Sequence, residues 1–321
     1  MQRYNMFGSE SLVTKRKDQK EAYAGTTSWG GAANAGVVYK LNASGNETVL
    51  YSFTGGADGK SPYAGVIRDS AGNLYGTTYW GGMYTYGVVY KLDRFGKETV
   101  LHSFMGGQPQ PYAGVIRDSA GNLYGTSESG GDLAGCNGDG CGVVYKLDTA
   151  GNYTVLYSFT GGADGSNPNA GVIRDSAANL YGTTPNGGTA NAGVVYKLDT
   201  AGNYTVLYSF TGGADGSNPN AGVIRDLAGN LYGTTTWGGA SLFGVVFKLN
   251  GGNLPAARAP MTWARGRGSG LLSVRLLPGS GLMAWPFGVR RDFLRHRPAG
   301  ARRRRALRAA CKRHRVPVRQ G

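Results

Sequence analysis

The chain has 321 residues, of which 56 are glycine and 20 tyrosine, and only 17% are charged. With no G-x-y period and only 12 prolines, that glycine content excludes collagen and points to many short strands joined by tight turns. The net charge of +15 sits at one end: residues 251–321 hold 17 Arg or Lys against Asp292 alone, leaving 17 of 34 basic and 18 of 19 acidic groups in the first 250 residues, so charge argues for a nucleic-acid partner in the tail only.

Residues 1–22 form a non-repeat N-terminal segment without the apolar core of a secretory leader. No stretch of the chain approaches the roughly 18 apolar residues of a membrane span. Residues 23–250 are repetitive. "GVVYKL" begins at Gly36, Gly87, Gly142 and Gly193, and "GVVFKL" at Gly244, with spacings of 51, 55, 51 and 51. The longer spacing comes from "SESGGDLAGCNGDGCG", partly offset by the shortening of "TGGADGKSPYAG" to "MGGQPQPYAG". Residues 142–175 and 193–226 are identical, so near-copies must pack side by side.

One unit predicts four strands: A over 64–69 (AGVIRD), B over 73–78 (NLYGTT), C over 87–93 (GVVYKLD) and D over 98–104 (ETVLHSF). "AGN" and "xGN" supply the Gly or Asn that tight hairpin turns require. Asp69, Asp118, Asp175 and Asp226 precede the A–B turn, where a carboxylate accepts backbone N–H bonds. Alternation places Val49, Tyr51 and Phe53 on one face of strand D, with Leu50 on the other. Neither face of strand C or D is strongly polar, which predicts sheets covered on both sides. Gly76, Gly125, Gly182 and Gly233 lie inside strand B, and close approach of a neighbouring backbone is the expected reason. Four antiparallel strands in a period of about 51 residues describe an all-β propeller with four-stranded blades.

The pattern "GVVYKLD…ETVLYSFTGG-ADG…P-AGVIRD-AGNLYGTT…GG" resembles the GloVer tandem repeat of bacterial proteins, over roughly residues 23–250. Its "D-x-x-G-N-L-Y-G-T" core is also similar to the blade motif of two-component-regulator-type propellers. Both resemblances imply a β-propeller. The first implies an extracellular or cell-surface protein with no defined reaction, and it carries no catalytic residues over. A leader peptide expected of that family is not visible here. Counting motifs predicts five B, five C, four D and four A strands, so the first or last of about five blades is incomplete.

Catalytic signatures are missing: there is no H-E-x-x-H, no P-loop and no supported Ser/His/Asp set. His102 takes a position that is Tyr51, Tyr157 or Tyr208 in other units, and is expected to be structural. A non-catalytic binding or structural module is therefore expected, with carbohydrate or a surface protein as partner. A carbohydrate-active propeller enzyme and a nucleic-acid binder working through the tail are the alternatives. The candidate ligand-binding residues are Trp29, Tyr79, Trp80, Tyr84 and Trp237 in the B–C loops, with Asp58, Asp164 and Asp215 in the D–A loops. Aromatic rings beside carboxylates and glycine-rich backbone suit a sugar or a peptide. The alternative is that the tryptophans pack on their own loop glycines. Cys136 and Cys141, five apart in the one long loop, are expected to form a disulfide. No metal site or cofactor is expected. Calcium is the lesser alternative, because the D-x-D-x-D-G spacing and its distal Glu are absent. The Arg-rich tail, 251–321, breaks the repeat so abruptly that a frame-shifted gene end is expected over an evolved arm.

Overall fold

A computed structural model describes residues 23–106 and 110–251, all within one compact unit. The N-terminal segment 1–22 and the tail beyond Gly251 lie outside the described residues.

Among the described residues eighteen strands form five successive antiparallel sheets. The first holds β1 (Tyr23–Thr27), β2 (Val37–Leu41) and β3 (Glu47–Ser52). The second holds β4 (Ile67–Arg68), β5 (Leu74–Thr78), β6 (Val88–Leu92) and β7 (Glu98–Ser103). The third holds β8 (Ile116–Arg117), β9 (Leu123–Ser127), β10 (Val143–Leu147) and β11 (Tyr153–Ser158). The fourth holds β12 (Ile173–Arg174), β13 (Leu180–Thr184), β14 (Val194–Leu198) and β15 (Tyr204–Ser209). The fifth holds β16 (Ile224–Arg225), β17 (Leu231–Thr234) and β18 (Val246–Leu249). Each sheet is a meander in chain order; among the described residues the first has no strand A and the last no strand D. This is a β-propeller of five blades with incomplete ends.

Local chemistry sets the hairpins. The Asp69 carboxylate accepts the N–H groups of Ala71 and Asn73 at 3.0 and 2.8 Å, the Asn73 amide at 2.8 Å and the Tyr75 hydroxyl at 3.0 Å. Burial works against that carboxylate, but the donated hydrogen bonds outweigh it and hold Asp69 below the usual range. The turn is closed at Gly72, whose φ is 89°. In the fourth blade Ala178 stands there instead, with φ at 68°.

Blades pack face to face through one repeated contact. The strand-C aromatic of each blade meets the phenylalanine that ends strand D of the preceding blade: Tyr90 on Phe53, Tyr145 on Phe104, Tyr196 on Phe159 and Phe247 on Phe210, at 5.1–5.5 Å. These pairs centre four hydrophobic clusters, one at each boundary between consecutive sheets. Among the described residues no such cluster joins the fifth sheet to the first.

The mid-strand glycines have a different neighbour from the one expected. Gly76 is paired with Tyr90, and a Cβ at Gly76 would lie 2.5 Å from the Tyr90 hydroxyl. The same holds for Gly125 beneath Tyr145 and Gly182 beneath Tyr196, while Gly233 lies beneath the Phe247 ring. A cross-strand ring of the same sheet, rather than another backbone, takes the space. Strand D departs from simple alternation as well. Val38 pairs with Tyr51 but Tyr39 pairs with Val49, so Leu50 is an extra, bulged residue. Leu50 and Tyr51 therefore both pack toward the second blade, and Val49 is exposed.

Strand A is two residues long, shorter than its six-residue motif. Its Ala-Gly start is bonded across blades instead of within the ladder. Thr26, Thr77, Thr126 and Thr183 donate to the carbonyls of Ala64, Ala113, Ala170 and Ala221 at 2.8–3.0 Å. A Cβ on Gly114 would sit 3.2 Å from the Gly65 carbonyl, and one on Gly171 would sit 3.1 Å from that of Gly114. Strand-A backbones of successive blades therefore converge, which defines the crowded inner rim of the propeller.

Candidate functional site

The residue just before each Ala-Gly step stands on that rim. It is Tyr63 and Tyr112 before the second and third blades, but Asn169 and Asn220 before the fourth and fifth. Tyr63 and Tyr112 stack at 5.3 Å. Tyr79, from the second B–C loop, sets its ring edge-on to both, at 5.3 and 5.7 Å, and Trp80 meets Tyr79 at 4.8 Å. Tyr63, Trp80 and Tyr112 are each exposed, Trp80 by 42%. Bridges between Lys60 and Trp80 and between Ser217 and Trp237 hold the D–A and B–C loops of a blade side by side.

Tyr79 also borders an open cavity of about 520 Å³, lined with it by Tyr86, Gln110, Glu128, Asp139 and Asn167 among others. Its volume suits a small ligand. One wall is the long third-blade loop, where Cys136 and Cys141 are bonded at the end of a short 3₁₀ turn, Cys136–Gly138. Asn167 is tied to this wall, donating its backbone N–H to the Cys141 carbonyl at 2.8 Å and its side-chain amide to the Glu128 carbonyl at 3.0 Å. Glu128 is half-buried, and burial pushes its carboxyl above the usual range. Burial, then the Glu128 charge, push the Tyr79 hydroxyl up; at Tyr112 burial and Tyr63 act together with Glu128. Glu128 and Tyr79 line the cavity together.

The sequence candidates separate in the structure. Tyr79 and Trp80 join the ring cluster, and Tyr84 is exposed in the same loop. Trp29 and Trp237 are exposed on the first and fifth blades, away from the cavity lining. Asp58, Asp164 and Asp215 are occupied by their own loops. Asp58 accepts the Tyr51 hydroxyl at 3.0 Å, the Thr54 N–H at 2.7 Å and the Thr54 hydroxyl at 2.6 Å. Asp164 and Asp215 repeat this with Tyr157 and Thr160, and with Tyr208 and Thr211. His102 replaces the tyrosine of this arrangement in the one blade whose loop has no aspartate, and it stacks on Tyr153 at 4.8 Å.

Glu128, Tyr63, Tyr112 and Gln110 were not among the sequence candidates. A signal for Glu128 exists: its column reads Ser28, Tyr79, Glu128, Pro185 and Thr236, the only carboxylate in an otherwise uncharged position. Among the described residues no three His, Cys, Asp or Glu converge to hold a metal ion. No helix among them is long and apolar enough to cross a membrane.

A family model described as the Gloeobacter/Verrucomicrobia repeat matches residues 8–162 and 135–259, most of the chain. The chain belongs to that family. No curated protein matches it. Several solved structures are similar at low identity. A luciferin-regenerating enzyme shares 14% identity over 71% of this chain and 78% of its own, with a TM-score of 0.46. The GH43 endo-arabinanase from Bacillus licheniformis shares 11% over 73% and 91%, with a TM-score of 0.35. The dipeptidyl peptidase 4 of Porphyromonas gingivalis shares 12% over 72% and 32%, with a TM-score of 0.36.

Proposed function

We propose that this repeat protein is a non-catalytic, extracellular binding module that holds a carbohydrate against the Tyr63–Tyr79–Tyr112 cluster and the adjoining cavity. One observation carries the reading: exposed aromatic rings and a ligand-sized cavity meet where the repeat is broken by Glu128 and the disulfide loop. Ring faces stack on the apolar faces of sugars, and Gln110, Asn167 and Ser129 supply groups that bond hydroxyls. The disulfide fits an oxidising compartment. A glycan array with the full chain tests this. Binding should fall about tenfold or more in Tyr79→Ala and Trp80→Ala, and absence of binding to any glycan would remove the reading.

A hydrolytic reading has one observation in its favour: Glu128 and Asp139 line the same cavity. It requires release of reducing ends from an oligosaccharide, lost in Glu128→Gln.

A further inference from the structure

The Glu128 carboxylate differs from those of the repeat aspartates. The aspartates of the repeat are each saturated by two to four donors from their own turns or loops. Among the described residues, no side chain or N–H donates to the Glu128 carboxylate. No Lys, Arg or His among them pairs with it. A half-buried carboxylate without a counter-charge is costly to keep ionised. It lines one cavity with Tyr79, whose ring packs against that of Tyr112, and the electron-rich faces of such rings attract cations. The equivalent position elsewhere holds serine, tyrosine, proline or threonine, so the blade does not need a carboxylate there.

Resting on the carbohydrate-binding reading, we propose that the sugar taken by this site carries a protonated amino group, seated between the Glu128 carboxylate and the rings of Tyr79 and Tyr112. The ammonium supplies the missing counter-charge and three donors, and it gains from the aromatic faces at the same time. Gln110, Ser129 and Asn167, further along the cavity, then meet the hydroxyls of the same or the next sugar ring. An N-acetylated sugar presents a neutral amide at that place and leaves Glu128 unpaired.

Titration calorimetry of the full chain with a glucosamine oligosaccharide and its N-acetylated counterpart, repeated across the pH range in which the amine is still protonated so as to include buffers where the carboxylate is ionised, tests this. The free amine should bind about tenfold or more tightly than the acetylated sugar. Glu128→Gln should abolish that preference, bringing the affinity for the free amine down to that for the acetylated sugar. Glu128→Thr, which borrows the residue of the fifth blade at this position, serves as the second variant should the first fail to fold. Equal affinity for the two sugars, or a preference that survives both variants, overturns the inference. Binding of neutral glycans alone overturns it but leaves the proposed function standing; binding of no glycan removes both.

Discussion

Val195 is fully buried between the fourth and fifth blades, whereas Val246, its counterpart one repeat later, is 80% exposed. The two residues share strand, register and a threonine partner on strand B. They differ in what lies beyond them: among the described residues the fifth sheet has no strand D, and no further blade covers it. Burial of strand C is therefore a property of the neighbouring strand and blade, and not of the strand itself. Val195→Ala should cost about 2 kcal/mol from lost methyl burial and the cavity left behind. Val246→Ala should change stability by less than about 0.5 kcal/mol. Urea unfolding midpoints of the two variants measure the contrast.

Tyr196 covers Gly182 so closely that a Cβ there would lie 2.4 Å from its hydroxyl. That hydroxyl is fully buried and has no hydrogen-bond partner among the described residues. Tyr196→Phe should be neutral or stabilising by about 1 kcal/mol, since it removes a buried unsatisfied group. The fifth blade already makes this exchange with Phe247. Gly182→Ala should cost about 2 kcal/mol or more by overpacking. Thermal denaturation distinguishes the two, and equal losses would show that the hydroxyl has a hidden partner.

Ala178 closes the fourth A–B turn at φ 68°, where Gly72, Gly121 and Gly229 close the others. A Cβ in the left-handed region costs roughly 1–2 kcal/mol. Ala178→Gly should therefore stabilise the protein by about 1 kcal/mol, even after the added freedom of the unfolded chain is deducted. Scanning calorimetry should record a higher melting temperature although the substitution removes a methyl group and adds no packing. A lower melting temperature would show that the turn holds its alanine without strain.

Glu98 begins strand D of the second blade, where Tyr153 and Tyr204 stand in the third and fourth. Tyr204 stacks on Tyr157 at 4.0 Å, an arrangement the carboxylate cannot make. Burial, then the charge of Asp58, push the Glu98 carboxyl up to about 7. The sign follows from linkage. With the folded pKa above the unfolded one, stability is full below the unfolded value near 4.5 and is lost as pH rises toward 7. Glu98→Gln should raise the urea midpoint at pH 8 and leave it unchanged at pH 4. Glu98→Tyr should add about 1 kcal/mol by restoring the aromatic pair. A midpoint difference that does not vary with pH would assign the effect to packing alone.

Much of the architecture is legible in the sequence because the interactions that write it are local. The Asp-x-x-Gly-Asn turn closes on itself within a few residues. The strand motifs then recur at a period that only a repeated sheet explains. That is why strands B, C and D lie within a residue or two of their motifs. Strand A does not, because its Ala-Gly carbonyl is claimed by a threonine of the preceding blade. The tyrosine over each strand-B glycine is hidden from the sequence for a related reason: cross-strand register decides it.

The candidate site divides the same way. By itself the sequence determined the blade, its turns and the place where the repeat is interrupted, since each depends on residues close along the chain. Only the tertiary structure decided that Asp58, Asp164 and Asp215 are consumed by their own loops while Glu128 is not. It also decided that Tyr63, Tyr79 and Tyr112, drawn from loops of two successive blades, pack together and that Tyr79 and Glu128 line one cavity. Their meeting depends on how strand-A backbones converge, and that convergence is set by packing between blades rather than by any residue's own neighbours.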